Sequence, residues 1–408
     1  MKNPSRIFLT SIIAVVLFFS GCSSDLPVDT KSEISKILET EWQAYKSDKA
    51  NFNGGLAMQI LSPKGDYFIA TDMNDNVTGA CHFRIASVTK TFTAAGIMLL
   101  NQRGSLNIDD KITSNIPGKD IPYVPDAFEY DIPYKNEITI RMLLMHRAGI
   151  FDISNNAIPD NEFSHNQLYV GQNYIDYIEK KDSSHTFTFD ELVGVNASNH
   201  LSFFKPGTAY HYSDTGYSML GKIIERVSGK SYADFIKDEL LIPNSLTNTS
   251  LPWEGSDKIL PEPFVKGYVW MNGGYEEVTE SNMSPHVAEG NIITTPMELV
   301  NWCRKLFKAD AGLSRETVEM MKTGLKRDDG AESTYGLGVV YSPGIGYGHA
   351  GAHAGYLTLM NYNPDTDIVY VMFANIWDCQ NNLDSIMAEL KVMTEIAAKI
   401  LKKVEKTD

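Results

Sequence analysis

The sequence predicts an α+β fold: an antiparallel β-sheet flanked by helices in an α/β sandwich, with an all-helical lobe inserted between its two halves. Strand-like runs stand near both ends of the chain, at 55–61 and 67–71 and again at 336–341, 356–363 and 368–375. The stretch between them, 87 to 306, reads as helices and loops. Two separated sets of strands bury a useful sheet only by meeting. The helical middle is then an insertion, and a site is expected in the cleft between lobes.

At the N-terminus, Lys2 and Arg6 precede an apolar run over 7–19 and then Ser20-Gly21-Cys22. A basic start, a short apolar core and small residues before a cut site make 1–21 a secretory signal, too short to span a membrane as a helix. Cysteine after Ser-Gly resembles a bacterial lipobox, which implies cleavage before Cys22 and lipid on it, although Phe19 stands where leucine is usual. The expected place is the cell envelope, on its periplasmic or extracellular face, with the lipid alone touching the membrane. Residues 22–31 read as a polar tether. The body is expected at 32–406, with an α/β lobe from 32–86 and 307–406 and a helical lobe from 87–306.

Along the body, Ile34, Ile37, Leu38, Trp42 and Tyr45 recur at helical spacing over 32–45. Pro63-Lys64-Gly65-Asp66 turns the first two strands. A helix opening near Ser87 carries Phe92, Ala95, Gly96, Leu99 and Leu100 on one face and closes at Arg103 and Gly104. Helical patterns also start at 138–145 and run over 216–227 to Gly229. The polar stretch 151–200 is either a cleft wall or a surface excursion. Thr295-Pro296-Met297-Glu298 is a capping box with proline at the first helical position, opening a helix through Leu306. Pro364-Asp365-Thr366-Asp367 turns the last two strands. The apolar side of 386–404 is expected to pack on the sheet rather than on a membrane.

The net charge of −15 disfavours nucleic acid and anionic lipid as partners. With Cys22 lipidated, Cys81, Cys303 and Cys379 remain, an odd set without metal-ligand spacing. His349 and His353 lack a third ligand. Neither a metal nor another cofactor is expected.

Chemistry concentrates at Ser87-Val88-Thr89-Lys90. Residues three apart on a helix share a face, so the amine reaches the hydroxyl and can activate a nucleophile that is weak alone. A second copy, Ser202-Phe203-Phe204-Lys205, runs into Pro206-Gly207, where no helix continues. Tyr212-Ser213-Asp214 follows a Pro-Gly turn and leads into a helix. Gly348-His349-Ala350-Gly351 precedes a strand, and glycine at a strand edge lets a substrate backbone come close.

The blocks Phe83-Arg84-Ile85-Ala86-Ser87-Val88-Thr89-Lys90, Ile138-Thr139-Ile140-Arg141-Met142-Leu143-Leu144-Met145-His146, the Pro-Gly and Tyr-Ser-Asp segment, and His349-Ala350-Gly351 resemble, in order, the serine penicillin-recognising hydrolases. That family includes class C β-lactamases, D-Ala-D-Ala carboxypeptidases, D-amino-acid peptidases and related esterases. The resemblance spans about 33 to 403 and implies a β-lactamase/transpeptidase-like fold. It implies Ser87 as nucleophile, Lys90 as its proton-transfer partner, Tyr212 as the base serving the leaving group, and His349 as its helper. It further implies an oxyanion hole from the N–H groups of Ser87 and Ala352, with Asp214, Gly351 and Ala352 on the substrate side. Against the family pattern, Asp214 replaces asparagine, His349 replaces the class C lysine, and Ala350 replaces a hydroxyl. No arginine follows Arg327, so the final strands offer no guanidinium for a substrate carboxylate. The expected activity is a D-Ala-D-Ala carboxypeptidase-like or D-amino-acid peptidase reaction on a small, cell-wall-type peptide. A carboxylesterase of the same fold, a β-lactamase and a non-catalytic peptidoglycan-binding sensor are the alternatives.

Overall fold

The computed structural model describes residues 28–406 except 75, 272, 329, 331, 381 and 382. The expected signal over 1–21 and Cys22 lie outside the described residues. Helix α1 (Val28–Lys46) leads to the hairpin of β1 (Leu56–Ser62) and β2 (Gly65–Thr71). Strand β3 (Phe83–Arg84) enters one 3-10 turn, Ala86–Val88, and then α2 (Thr89–Gln102). Five helices follow: α3 (Ile140–Leu144), α4 (Tyr174–Glu179), α5 (Phe189–Ser198), α6 (Asp214–Ser228) and α7 (Tyr232–Ile236). Each opens on a Thr, Asn or Ser whose side chain accepts an N–H of the first turn, the preferred chemistry of a helix start.

The hairpin β4 (Tyr268–Met271) and β5 (Gly274–Glu277), strand β6 (Ile293–Thr294), α8 (Pro296–Phe307) and α9 (Arg315–Lys322) come next. The chain then forms β7 (Leu325–Lys326), β8 (Thr334–Tyr335), β9 (Val340–Ser342), β10 (Gly346–His353) and β11 (Tyr356–Asn363). It ends with β12 (Ile368–Ala374), β13 (Ile376–Asp378) and α10 (Leu383–Glu405).

Eight strands make one antiparallel sheet, ordered β2-β1-β12-β11-β10-β9-β8-β7. The two ends of the sequence meet where Leu56 pairs with Ala374 and Leu61 with Val369. Strand β12 shows why a sandwich results. Its alternate residues Tyr370, Met372 and Ala374 join Leu38 and Trp42 of α1 and Met393 and Ile400 of α10 in one core. Val369, Val371 and Phe373 point the other way, into the core that holds α2 and α8. Side chains alternate along a strand, so seven apolar residues in a row serve two faces. Each large one contributes about 1.5–3 kcal/mol by leaving water.

Several expectations change. Helix α1 begins at Val28, so residues 28–31 form its first turn rather than tether; Thr30 is already buried there. The stretch 87–306 is not all helical. Strand β4 pairs in parallel with β13, Tyr268 opposite Ile376, and Trp270 Nε1 donates to the Ala50 carbonyl at 2.9 Å. Helix α8 packs on β1, β11 and β12 and belongs to the sheet's second layer. The strand expected over 336–341 forms only at its end, as β9, and 336–339 turn between β8 and β9. Gly338 sits at φ +72° with Ala94 Cβ 2.3 Å from where its own Cβ would be, and the Gly336 N–H bonds the Val339 carbonyl. The chain bends there to clear α2.

Candidate active site

Ser87 rides a strained corner. Ala86 takes φ +50°, a left-handed conformation costing an L-residue about 1–3 kcal/mol. That twist turns the chain from β3 into the 3-10 turn, with Ala86 and Val88 buried and Ser87 only half-buried. One turn later Lys90 is fully buried, its Nζ 3.0 Å from Ser87 Oγ. The same Nζ lies 2.6 Å from Asp214 Oδ1 and 3.3 Å from Glu289 Oε2, and it donates to the Glu289 carbonyl at 2.9 Å. Four acceptors thus surround an ammonium with three N–H bonds.

Tyr212 lies in the extended segment that Ser213 terminates by capping α6. Its ring stands 4.8 Å from Lys90 Nζ and packs on the His146 ring at 4.1 Å. Its phenol oxygen faces Ser87 and Lys90. Asp214, first residue of α6, is buried and accepts from Asn155 Nδ2 at 2.9 Å. Asn155 Nδ2 also donates to the buried Asp152, at 2.8 Å.

Strand β10 closes the site from the sheet. A Cβ on Gly351 would stand 2.2 Å from the Ile85 carbonyl and 3.1 Å from Ser87 N, so only glycine lets the strand come this close. Strand β9 pairs with Gly346, Tyr347 and Gly348. Among the described residues no strand covers the edge beyond, where Ala352 is exposed.

His349 is placed differently from expectation. Its Nε2 lies 2.9 Å from Tyr335 Oη rather than on Tyr212, whose ring centroid is 6.2 Å away. His146 Nε2 holds the same Tyr335 oxygen at 3.1 Å, and its Nδ1 accepts from Ser213 N. The tautomers follow. With Nδ1 of His146 accepting, its Nε2–H donates to Tyr335; Tyr335 donates to His349 Nε2; His349 Nδ1–H donates to the Ala350 carbonyl. Burial and then Lys90 push His349 down to about 3 and hold His146 well below its ordinary value, so both rings are neutral.

A profile of the Beta-lactamase family matches residues 70–385. The chain belongs to that family. It is 29% identical over 294 residues to penicillin-binding protein 4* of Bacillus subtilis, an alignment covering 68% of this chain and 57% of that protein's length. Its fold superimposes on a D-stereospecific amidohydrolase from Streptomyces sp. with a TM-score of 0.68, at 24% identity, over 85% of this chain and 94% of the other. The D-amino acid amidase of Ochrobactrum anthropi gives 0.70 at 23% identity, over 92% and 99%.

The electrostatics of this beta-lactamase-family site set its resting protonation. Burial works against the Lys90 ammonium, but Asp214, Tyr212 and Glu289 outweigh it, holding Lys90 well above its ordinary value. Burial raises the Tyr212 phenol against the pull of Lys90, and Asp214 adds to the rise, so the residue expected as a base rests protonated. Burial and then Asp214 push Asp152 up to about 8. The cluster holds six residues that the sequence did not single out for the site: His146, Asp152, Asn155, His286, Glu289 and Tyr335. Only His146 carried a signal, as the last residue of a family block.

Proposed function

We propose that the protein is a serine hydrolase that forms an acyl-enzyme on Ser87 and acts on D-amino-acid peptides or amides of the cell-wall type, like a D-Ala-D-Ala carboxypeptidase or a D-amino-acid peptidase. The carrying observation is the 3.0 Å approach of buried Lys90 to half-buried Ser87 beside the uncovered edge of β10. Ser87 Oγ attacks a carbonyl whose oxygen turns toward the N–H groups of Ser87 and Ala352, where each donor supplies about 3–4 kcal/mol to the barrier. The Lys90 charge steadies the developing anion. Tyr212, a protonated phenol over Ser87 and Lys90, hands its proton to the leaving group and regains one from Lys90, which takes up the proton released by Ser87 Oγ. Water then resolves the ester by the reverse proton path.

The D-stereospecific amidohydrolase and D-amino acid amidase among the fold neighbours support an amide substrate. The esterase reading keeps a foothold in one feature: Ala350 and the lack of arginine after Arg327 leave the final strands without a strong grip on a substrate carboxylate. The basic start, the apolar run and Ser20-Gly21-Cys22 support a place for the body at the envelope surface, held by lipid on Cys22.

The test uses protein lacking residues 1–22, assayed on a D-amino-acid amide, a D-Ala-D-Ala peptide, a p-nitrophenyl ester and a chromogenic cephalosporin, with Ser87→Ala as control. Amide or peptide turnover that vanishes in the control supports the reading. Ester turnover alone moves the activity to the esterases, and turnover surviving in Ser87→Ala removes the nucleophile.

A further inference from the structure

Lys90 has a second carboxylate that no motif supplies. Glu289 is buried, placing Oε2 3.3 Å from Lys90 Nζ and Oε1 2.6 Å from Nδ1 of His286, whose side chain is 25% exposed. The backbone is bent to achieve this. Ala288 takes φ +73°, and its carbonyl is fixed by Thr93 Oγ1 at 2.5 Å. Both the carbonyl and the carboxylate of Glu289 thereby face one ammonium. That ammonium already donates toward Ser87 and cannot take the serine proton until it loses one of its own. Asp214 is the other carboxylate on Lys90, but its second oxygen is held by Asn155 Nδ2, an amide that does not titrate, whereas Glu289 Oε1 faces an imidazole that does.

Resting on the acyl-enzyme reading above, we infer that Glu289 is the proton store of the nucleophile, with His286 as the positioning residue that sets its readiness. Lys90 Nζ–H passes to Glu289 Oε2. The neutral amine takes the Ser87 Oγ–H proton as the Oγ–C bond forms. The restored ammonium supplies the leaving group through Tyr212, and Glu289 returns its proton to Lys90. The leaving group ends with the serine proton, and every other group is as it began. His286 Nδ1–H holds Oε1, so the stored proton sits on the oxygen facing Lys90.

His286 makes the store depend on pH. Burial opposes its cation, but Glu289 outweighs burial and raises it above its ordinary value. Asp214 and Glu179 also favour that cation, and His353, with its ring 5.4 Å away, opposes it. Lys90, Asp152 and Tyr232 complete the titratable groups around Glu289. A cationic His286 beside Oε1 repels the proton that Lys90 passes to Oε2, so kcat/KM rises with pH as His286 loses its second proton.

Glu289→Gln keeps the shape but stores no proton, and is expected to lower kcat/KM on the best substrate about 10²-fold, with KM within about threefold. His286→Asn keeps a donor to Oε1 without the titration, so its kcat/KM is expected to be flat across the acid limb seen in the wild type. Thermal melting of both variants reports folding. Glu289→Gln within about threefold of wild type, or an unchanged acid limb in His286→Asn, overturns the inference. Either result leaves the acyl-enzyme reading intact, because that reading fails only if Ser87→Ala stays active.

Discussion

Tyr335 is the single hydroxyl on which two buried imidazoles depend. Its replacement by phenylalanine strands an N–H on His146 and a lone pair on His349, and a buried unpaired group costs about 1–3 kcal/mol. Tyr335→Phe is expected to lose at least that in urea denaturation and to lower turnover, because Tyr212 rests on the His146 ring. Such a residue could not be read from the chain. Ser87 and Lys90 were legible because three residues on a helix guarantee a shared face, and Tyr212 because a turn and a helix start surround it. Tyr335 and Glu289 lie in segments with no period of their own, and only the folded chain decides what faces them.

At the level of elements, the approach of β10 to the turn before α2 governs the site. Gly351→Ala puts a methyl 2.2 Å from the Ile85 carbonyl, and backbone cannot yield as a flexible side chain does. The strand must retreat from Ser87, and displacements near 1 Å cost about 10²-fold in rate. The expected result is a fall of that order in kcat on the same substrate, with melting far less affected. Helix starts were legible where a cap residue preceded an apolar run, as at Thr295, whose side chain accepts the Glu298 N–H. The break between β8 and β9 was not. Its cause is Ala94 pressing against Gly338, a contact between residues distant in the chain. The hairpin β4–β5 was missed inside a stretch read as helical, although Tyr268, Val269 and Trp270 ahead of Gly273-Gly274 fit a strand and turn.

For the molecule as a whole, stability should vary with pH through Glu389 of α10. It is buried, Oε2 accepts from Asp378 N at 3.1 Å, and Oε1 has no hydrogen-bond partner. Burial, then Asp378, pushes this carboxyl up to about 8. Between its ordinary value and 8 the folded protein keeps a proton that the unfolded chain has released, so stability falls as pH rises through that window. Glu389→Gln removes the slope. Its advantage over wild type, read from melting at pH 5 and pH 8, is expected to grow to about 1–3 kcal/mol at the higher pH. The sandwich itself was legible, since apolar strands at both ends of the sequence had no other way to be covered. The pairing that closes it has a further consequence. Gly55 N–H donates to Asn375 Oδ1 across 320 positions, and the leading hairpin alone is a two-stranded ribbon of marginal stability. A chain emerging from a ribosome therefore has nothing to lock onto until its last strands arrive. Until then its first two strands wait with one edge open to any other unpaired strand, so closure of the sheet is a late event in folding.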